Sequence, residues 1–522
     1  MRAFLFLGLA LFSTAGSTAY AAPLPACRDA WSSLVRTNQH KFDYARGDSY
    51  SSWQSRTQRE RCRKDWTVLV YMSADNDLMP YALWDLYEME AGFQSTPSGA
   101  GSTIGNDLVV QLDSAGNSGL RRYHVFQTPE VYQQKQKTDF DSLDERSVRS
   151  PVVQTLSERD GNSEAKRFQE FLSWAVEKYP SERYMVVVWG HGRGWVTQQS
   201  PQSVRSLPRG SVLEESDLNE PDTEAAETLS GRLAFKQSSG DFLDIPSLRT
   251  ALSQMARKTG KPIDVYASDA CLMQMVEVAS ELAPHTRYIV GSAQIQSFLG
   301  LPYRRIMHEL NTGRFGGLRA SARGADESKL MARMIPKLFR ESMHPRLGLQ
   351  GRVDPQASLH LTSSSIESAK LRRTLSPALE ALGKSLIDYI SEDAMRSMDL
   401  MFVAQKTPGY EGGAQDLGVF LAHLQTLVTK EAETRGTRTS AAKKLGDAVT
   451  QAHLSLDATL VNYSVGTDYD RQNGPLASGK RRGVSVWLPG SAAAFNERRA
   501  DFSQSSFYEN NRSWIGWLDL LY

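Results

Sequence analysis

The sequence predicts an α/β fold, with a mostly parallel central sheet flanked by helices and a helix-rich C-terminal extension. Three observations lead there. Runs such as Y-M-V-V-V-W (184–189) and I-D-V-Y-A-S (263–268) are apolar and β-branched with little alternation, as strands buried on both faces are. Helical patterns separate them, notably A-K-R-F-Q-E-F-L-S-W-A-V-E-K (165–178). Beyond Leu310 helical stretches such as L-R-R-T-L-S-P-A-L-E-A-L (371–382) dominate.

Taken in order, the chain opens with M-R-A-F-L-F-L-G-L-A-L-F. This is a basic start and an apolar run too short to cross a bilayer, followed by A-Y-A at 19–21. Residues 1–21 therefore read as a cleaved signal peptide, and the product is expected in the periplasm or outside the cell. L-P-A-C ending at Cys27 is not taken as a lipidation site, because it lies far beyond the apolar run and Pro25 stands where a small residue is needed. Residues 22–65 form an N-terminal arm or propeptide, with nine basic and five acidic side chains. The core is expected over 66–310, with strands at 66–72, 107–112, 121–126, 184–189, 263–268 and 287–292. Residues 311–522 are expected to pack on it as a helix-rich region, with a strand at 483–489 and a tail docked by Trp514, Trp517 and Tyr522.

Two of these strands end in reactive residues eighty positions apart, His191 and Cys271. In open α/β sheets ligands bind beyond the carboxyl ends of the strands, so a nucleophile and a base can meet there. Met275, Val276, Ala279 and Leu282 follow at helical spacing, which predicts that Cys271 sits at a helix N-terminus, where the dipole favours thiolate. Taken singly, a lone cysteine is more often a small core residue and a lone histidine a structural one. The small neighbours Gly190, Gly192 and Ala270 instead suit a backbone approached by substrate.

The chain has three cysteines. In an oxidising compartment Cys27 and Cys62 can pair, leaving Cys271 as a free thiol; a redox latch between Cys271 and an arm cysteine is the alternative.

At W-T-V-L-V-Y-M-S-A-D-N-D-L (66–78), the block ending in H-G at Gly192, D-A-C-L-M-Q-M-V-E-V-A (269–279), G-L-P-Y (300–303) and G-V-S-V-W-L-P (483–489), the chain resembles the clostripain-like cysteine peptidases of the caspase-like clan. The resemblance implies a caspase-like core and a Cys271 and His191 dyad. It makes the amides of Gly192 and Cys271 an oxyanion hole. It also implies that Asp269, two positions before the nucleophile, selects a basic side chain before the cut bond; N-capping of the following helix is the other reading of Asp269. One departure stands out. Basic-selective relatives carry a further acid after the next strand, whereas no carboxylate lies between Glu281 and Glu309 here, and Gln294 and Pro302 occupy the expected region. One exposed carboxylate selects less sharply than a desolvated pair.

The polar stretch 198–240, with L-E-E-S-D-L-N-E-P-D-T-E-A-A-E, reads either as an inert insertion or, by the resemblance, as a loop cut during self-activation at Arg205, Arg209, Arg232 or Lys236. Calcium is used in part of the family, with Asp75, Asp77 and Asp113 as candidate ligands, but the chemistry itself requires no cofactor. Metal catalysis has no sequence support, since the nine histidines form no H-E-x-x-H cluster. D-Y-D-R-Q-N-G (468–474) has the wrong spacing for an EF-hand, and G-P-L-A-S-G-K (474–480) lacks the Ser or Thr and the helix of a phosphate loop.

Sixty basic against fifty-nine acidic residues give a net charge of +1, which argues against nucleic acid or a membrane surface as partner. A monomer acting on protein or peptide substrates is expected, as a secreted cysteine endopeptidase cutting after Arg or Lys. The alternatives are an exported non-catalytic scaffold and a thiol hydrolase for a non-peptide amide.

Overall fold

The computed structural model describes residues 23–91, 100–114, 119–128, 145–157, 162–195, 233–297, 299–317, 326–342, 361–407, 409–410, 413–435, 440–466 and 480–522. The segment expected to be a signal peptide (1–21), Arg205, Arg209, Arg232, the acid-rich run and nearly all of the two rejected motifs at 468–480 lie outside them.

Nine strands make the main sheet: β1 (Lys64–Ala74), β2 (Asn106–Ser114), β3 (Leu120–His124), β4 (Val152–Leu156), β5 (Ser181–Trp189), β6 (Ile263–Asp269), β7 (Thr286–Gly291), β8 (Thr362–Glu367) and β10 (Leu460–Val465). Their order is β10-β8-β7-β6-β5-β1-β2-β3-β4. The five central strands, β7 to β2, run parallel, and antiparallel strands extend both edges. A two-stranded sheet pairs β9 (Ala414–Asp416) with β11 (Ser485–Trp487). The late strand expected at 483–489 thus lies outside the main sheet.

The apolar runs are buried on both faces, as a central parallel strand must be. Along β1, Leu69 and Tyr71 enter one core while Val68, Val70 and Met72 enter the other. The first core is closed by α3 (Glu164–Lys178), α4 (Ile245–Thr259) and α5 (Val276–Leu282), the second by α2 (Met79–Glu90), α6 (Tyr303–Thr312) and α7 (Glu327–Ser342). The arm helix α1 (Tyr50–Thr57) precedes them all. In α3, Ser163 caps the N-terminus and Phe168, Phe171, Leu172 and Ala175 form one buried stripe. In α4, Asp244 caps the start and Gly260, in the left-handed region, ends it.

C-terminal to residue 311 come α8 (Ser376–Glu392), α9 (Arg396–Lys406), α10 (Leu417–Arg435), α11 (Ser440–Thr459), α12 (Ala492–Phe502) and α13 (Arg512–Leu521). This region does more than pack against the core, because it contributes β8 and β10 to the sheet itself. Trp514 and Trp517 are fully buried, Trp517 stacked on Phe420 and Trp514 edge-on to it.

The arm docks at the amino ends of the central strands. Cys27 and Cys62 form a disulfide beside Trp31, Trp53 and Phe126. Arg59 and Lys64 both pair with buried Asp107, which also meets His124 at 3.1 Å.

Candidate active site

The register of β5 on β6 places the two candidate residues. Trp189 stands opposite Asp269, so His191 and Cys271 each lie two residues past the last pair, at the same edge of the sheet. The ladder continues once more as Gly190 N–H donates to Asp269 O at 3.1 Å. The two turns then touch. A Cβ added to Gly192 would lie 2.4 Å from Cys271 O, 2.9 Å from Ala270 Cβ and 3.1 Å from Cys271 N, so only glycine fits.

Cys271 is a half-buried thiol outside the disulfide. The structure corrects the expectation that it begins a helix. α5 starts five residues later at Val276, and residue 272 sits at φ 59°. The intervening strap is held by its neighbours: Leu272 N–H donates to Gln294 O at 3.2 Å, Gln274 N–H to Ser292 O at 2.9 Å, and Met275 bridges to Ser485. Those contacts hold the strap out of helical geometry, and the N-cap of α5 is Met275, so Asp269 does not cap it either. The sulfur is instead approached by an amide, with Gln296 N–H donating to Cys271 Sγ at 3.3 Å. Such a donor favours thiolate over thiol.

His191 Nε2 lies 2.8 Å from Asp77 Oδ1. Burial pushes the Asp77 carboxyl up, but the hydrogen bond and charge of His191 outweigh this and hold it below its ordinary value.

The other candidate calcium ligands point elsewhere. Asp75 accepts a hydrogen bond from Ser238, and Asp113 pairs with Lys236 at 2.6 Å. Among the described residues no group of three or more His, Cys, Asp or Glu is gathered as a metal site. Lys236 departs from its expected role as an accessible cleavage site. It is 3 % exposed and clamped between Asp113 and Asp75, so cleavage there would first require extracting a buried ion pair.

Asp269 is buried rather than exposed, at 4 %. Its carboxylate accepts from Leu301 N at 2.9 Å, Tyr303 Oη at 2.7 Å and Gln296 Nε2. Burial pushes its pKa up to about 6, and these three hydrogen bonds offset the rise only in part. A second acid is present, but from an unexpected element. Asp85 of α2 accepts Trp189 Nε1–H at 2.7 Å. A Cβ on Gly300, itself at φ +60°, would come within 2.6 Å of Asp85 Oδ2 and 2.9 Å of Asp269 Oδ2. The two carboxyls thus flank one glycine.

Sequence reasoning missed Asp85, Gln296 and Tyr303 as neighbours of Asp269, and it weighed Asp77 only as a metal ligand. Asp77 alone left a signal, since a polar turn follows a strand that such sheets place beside the histidine strand. Gln296 acts partly through its backbone, which no side-chain motif reports.

The sequence profile of the clostripain family, peptidase C11, matches residues 70–226 and 221–519. Clostripain of Hathewaya histolytica is 22 % identical over 311 residues, 56 % of this chain and 52 % of that protein, so the chain spans about half the length of the curated relative it matches. A secreted C11 cysteine protease from Bacteroides thetaiotaomicron, solved with an irreversible peptide inhibitor, is similar with a TM-score of 0.50 at 19 % identity, over 86 % of this chain and 98 % of that one. An inactive zymogen C11 protease from Parabacteroides distasonis is similar with a TM-score of 0.51 at 17 % identity, over the same shares. With the profile covering most of its length and the histidine and cysteine at neighbouring strand ends, the chain belongs to the clostripain family.

Proposed function

We propose that this chain is an exported cysteine endopeptidase with a Cys271 and His191 dyad, selective for Arg or Lys before the cut bond. The observation that carries the reading is the register that sets both residues two positions past the same strand pair, with Gly192 against the backbone of Cys271.

In this reading the Cys271 thiolate attacks the scissile carbonyl carbon, and the oxyanion is received by the amides of Gly192 and Cys271. As the tetrahedral centre collapses, the C–N bond breaks and the imidazolium of His191 gives its proton to the leaving amine. Neutral His191 then takes a proton from water, whose oxygen attacks the thioester and releases acid and thiol. The Gln296 N–H supports the thiolate between turnovers.

The preference for a basic residue is supported by Asp269 and Asp85 around Gly300, a desolvated pair of the kind that one carboxylate alone cannot supply. Self-activation by cleavage at Arg205, Arg209 or Arg232 follows from the same preference. Export is supported by the N-terminal sequence; no helix among the described residues is long and apolar enough to cross a membrane.

The test uses purified protein and its Cys271→Ala variant on fluorogenic peptides ending in Arg, Lys, Leu or Asp, with calcium or a chelator, followed by a denaturing gel. Turnover of the Arg and Lys peptides, lost in the variant, is expected, with wild-type-only fragmentation near residues 205–232. Loss of rate with chelator would add calcium to the account. A thiol that reacts with alkylating agents while intact and loop-cut protein leave every peptide untouched would overturn the reading in favour of a scaffold or a non-peptide amidase.

A further inference from the structure

We infer that Asp77 is a positioning residue for the base: it accepts the Nε2 proton of His191 and leaves Nδ1 as the nitrogen that exchanges protons with thiol and leaving amine. The inference rests on the dyad proposed above and makes it a chain of three.

The placement is built rather than incidental. β1 lies beside β5, with Met72 opposite Trp189, so the turn leaving β1 arrives next to His191. That turn is fixed by Asn76, 6 % exposed, whose Nδ2 donates to Ser73 O at 3.2 Å and Phe235 O at 2.7 Å while its Oδ1 accepts from Leu78 N at 2.9 Å. Gln237 N–H to Asp75 O at 2.7 Å and Ala234 N–H to His191 O at 3.3 Å tie the segment after residue 232 to both sides of the pair. A turn held at this many points presents the Asp77 carboxylate at one angle.

The side chain of Asp77 is 46 % exposed and that of His191 19 %. An ion pair this open adds little to stability. Its value is directional. A ring nitrogen bonded to a carboxylate must carry the proton, which fixes the tautomer of neutral imidazole and sets a compensating negative charge beside the ring. Among the described residues, the titratable group in hydrogen-bond contact with His191 is Asp77 from the β1 turn, and Cys271 ends the neighbouring strand β6. Asp75 and Lys236 lie on the neighbouring segments and face Ser238 and Asp113.

Alkylation of Cys271 by iodoacetamide, in which the thiolate forms an S–C bond and expels iodide, reads the pair without any peptide substrate; the other two cysteines are in the disulfide. Asp77→Asn is expected to move the midpoint of the rate-against-pH curve upward by about half a unit or more, because the ring loses the carboxylate that orients it and compensates its charge beside the thiolate. On peptides, kcat is expected to fall on the order of 10- to 100-fold with little change in KM. Asp77→Glu is expected to restore the alkylation profile, separating carboxylate from mere shape. An unchanged profile and kcat in Asp77→Asn would overturn the inference. So would loss in both variants together with a lowered Tm, which would mark Asp77 as a folding residue. A wild-type protein that turns over no peptide yet shows the Asp77-dependent alkylation shift would sink the endopeptidase reading and leave this one standing.

Discussion

Asp269 is buried among three hydrogen-bond donors, and that setting predicts how it responds to pH. Asp269 is buried with a raised pKa, so below about pH 6 it is protonated and offers a basic side chain no charge, while above it the carboxylate is available. KM for Arg and Lys peptides is therefore expected to fall as pH rises through about 6, with Leu peptides unaffected. Asp269→Asn keeps the acceptor for Leu301 and Tyr303 but removes the charge. Its expected result is KM for basic peptides raised about 10-fold or more and independent of pH, measured by steady-state kinetics. A pH-dependent KM persisting in Asp269→Asn would shift the specificity role to Asp85. His191 and Cys271 were legible from sequence because each ends an apolar strand, a local pattern. The contacts of Asp77 and Asp85 were not legible, because their partners lie 114 and 104 residues away; the polar turn after β1 hinted at Asp77 alone.

The elements around the site carry their own tests. α5 holds the small β9/β11 sheet through Glu277, fully buried, whose Oε1 accepts Trp487 N–H at 2.8 Å. Burial pushes this carboxyl up to about 8. A group whose folded pKa lies above its unfolded value holds extra protons only in the folded state, so stability falls as pH climbs from about 4.5 toward 8. Glu277→Gln keeps the acceptor and removes that slope. Its Tm is expected to exceed wild type at pH 9 and to match it near pH 4.5; equal Tm values at both would show that Glu277 ionises without cost. The loop between β7 and α6 depends on Gly300. Gly300→Ala strains a positive φ and pushes a methyl into both carboxyls, so loss of Arg turnover is expected at least as severe as in Asp269→Asn.

The same scale explains what the sequence hid. The six strands anticipated within the core are all present, five of them as largely apolar runs; β3, L-R-R-Y-H, is the exception and pairs antiparallel. β8 escaped because T-S-S-S-I-E carries no apolar run. Its hydroxyls are satisfied instead, Ser364 by Gly483 O at 2.6 Å and Thr362 by Ser292 Oγ at 2.9 Å. β4 and β10, at the two edges, are only partly covered, so burial imposed little on their sequences.

At the scale of the molecule, the arm and the reactive residues sit at opposite ends of the sheet. Residues 23–65 dock where β1 begins, whereas His191 and Cys271 stand where β5 and β6 finish. The described part of the arm thus docks away from the reactive pair, and its expected contribution is to stability. Its disulfide joins residues 35 apart in sequence, worth about 3–4 kcal/mol by the loop-entropy account. Replacing both Cys27 and Cys62 by Ser is expected to lower the denaturant midpoint accordingly while leaving Cys271 alkylation unchanged. A changed alkylation rate would place the arm in communication with the site after all.

The shared register of β5 and β6 also determines what a cut between Trp195 and Leu233 would do. One product would carry β1 to β5 and the other β6 to β8 and β10, so the break would fall between strands that remain laddered at the centre of the sheet, with a continuous apolar core on either face. Scission would turn one polypeptide into an obligate pair of unlike halves, inseparable without denaturant, each bringing one of the two reactive side chains.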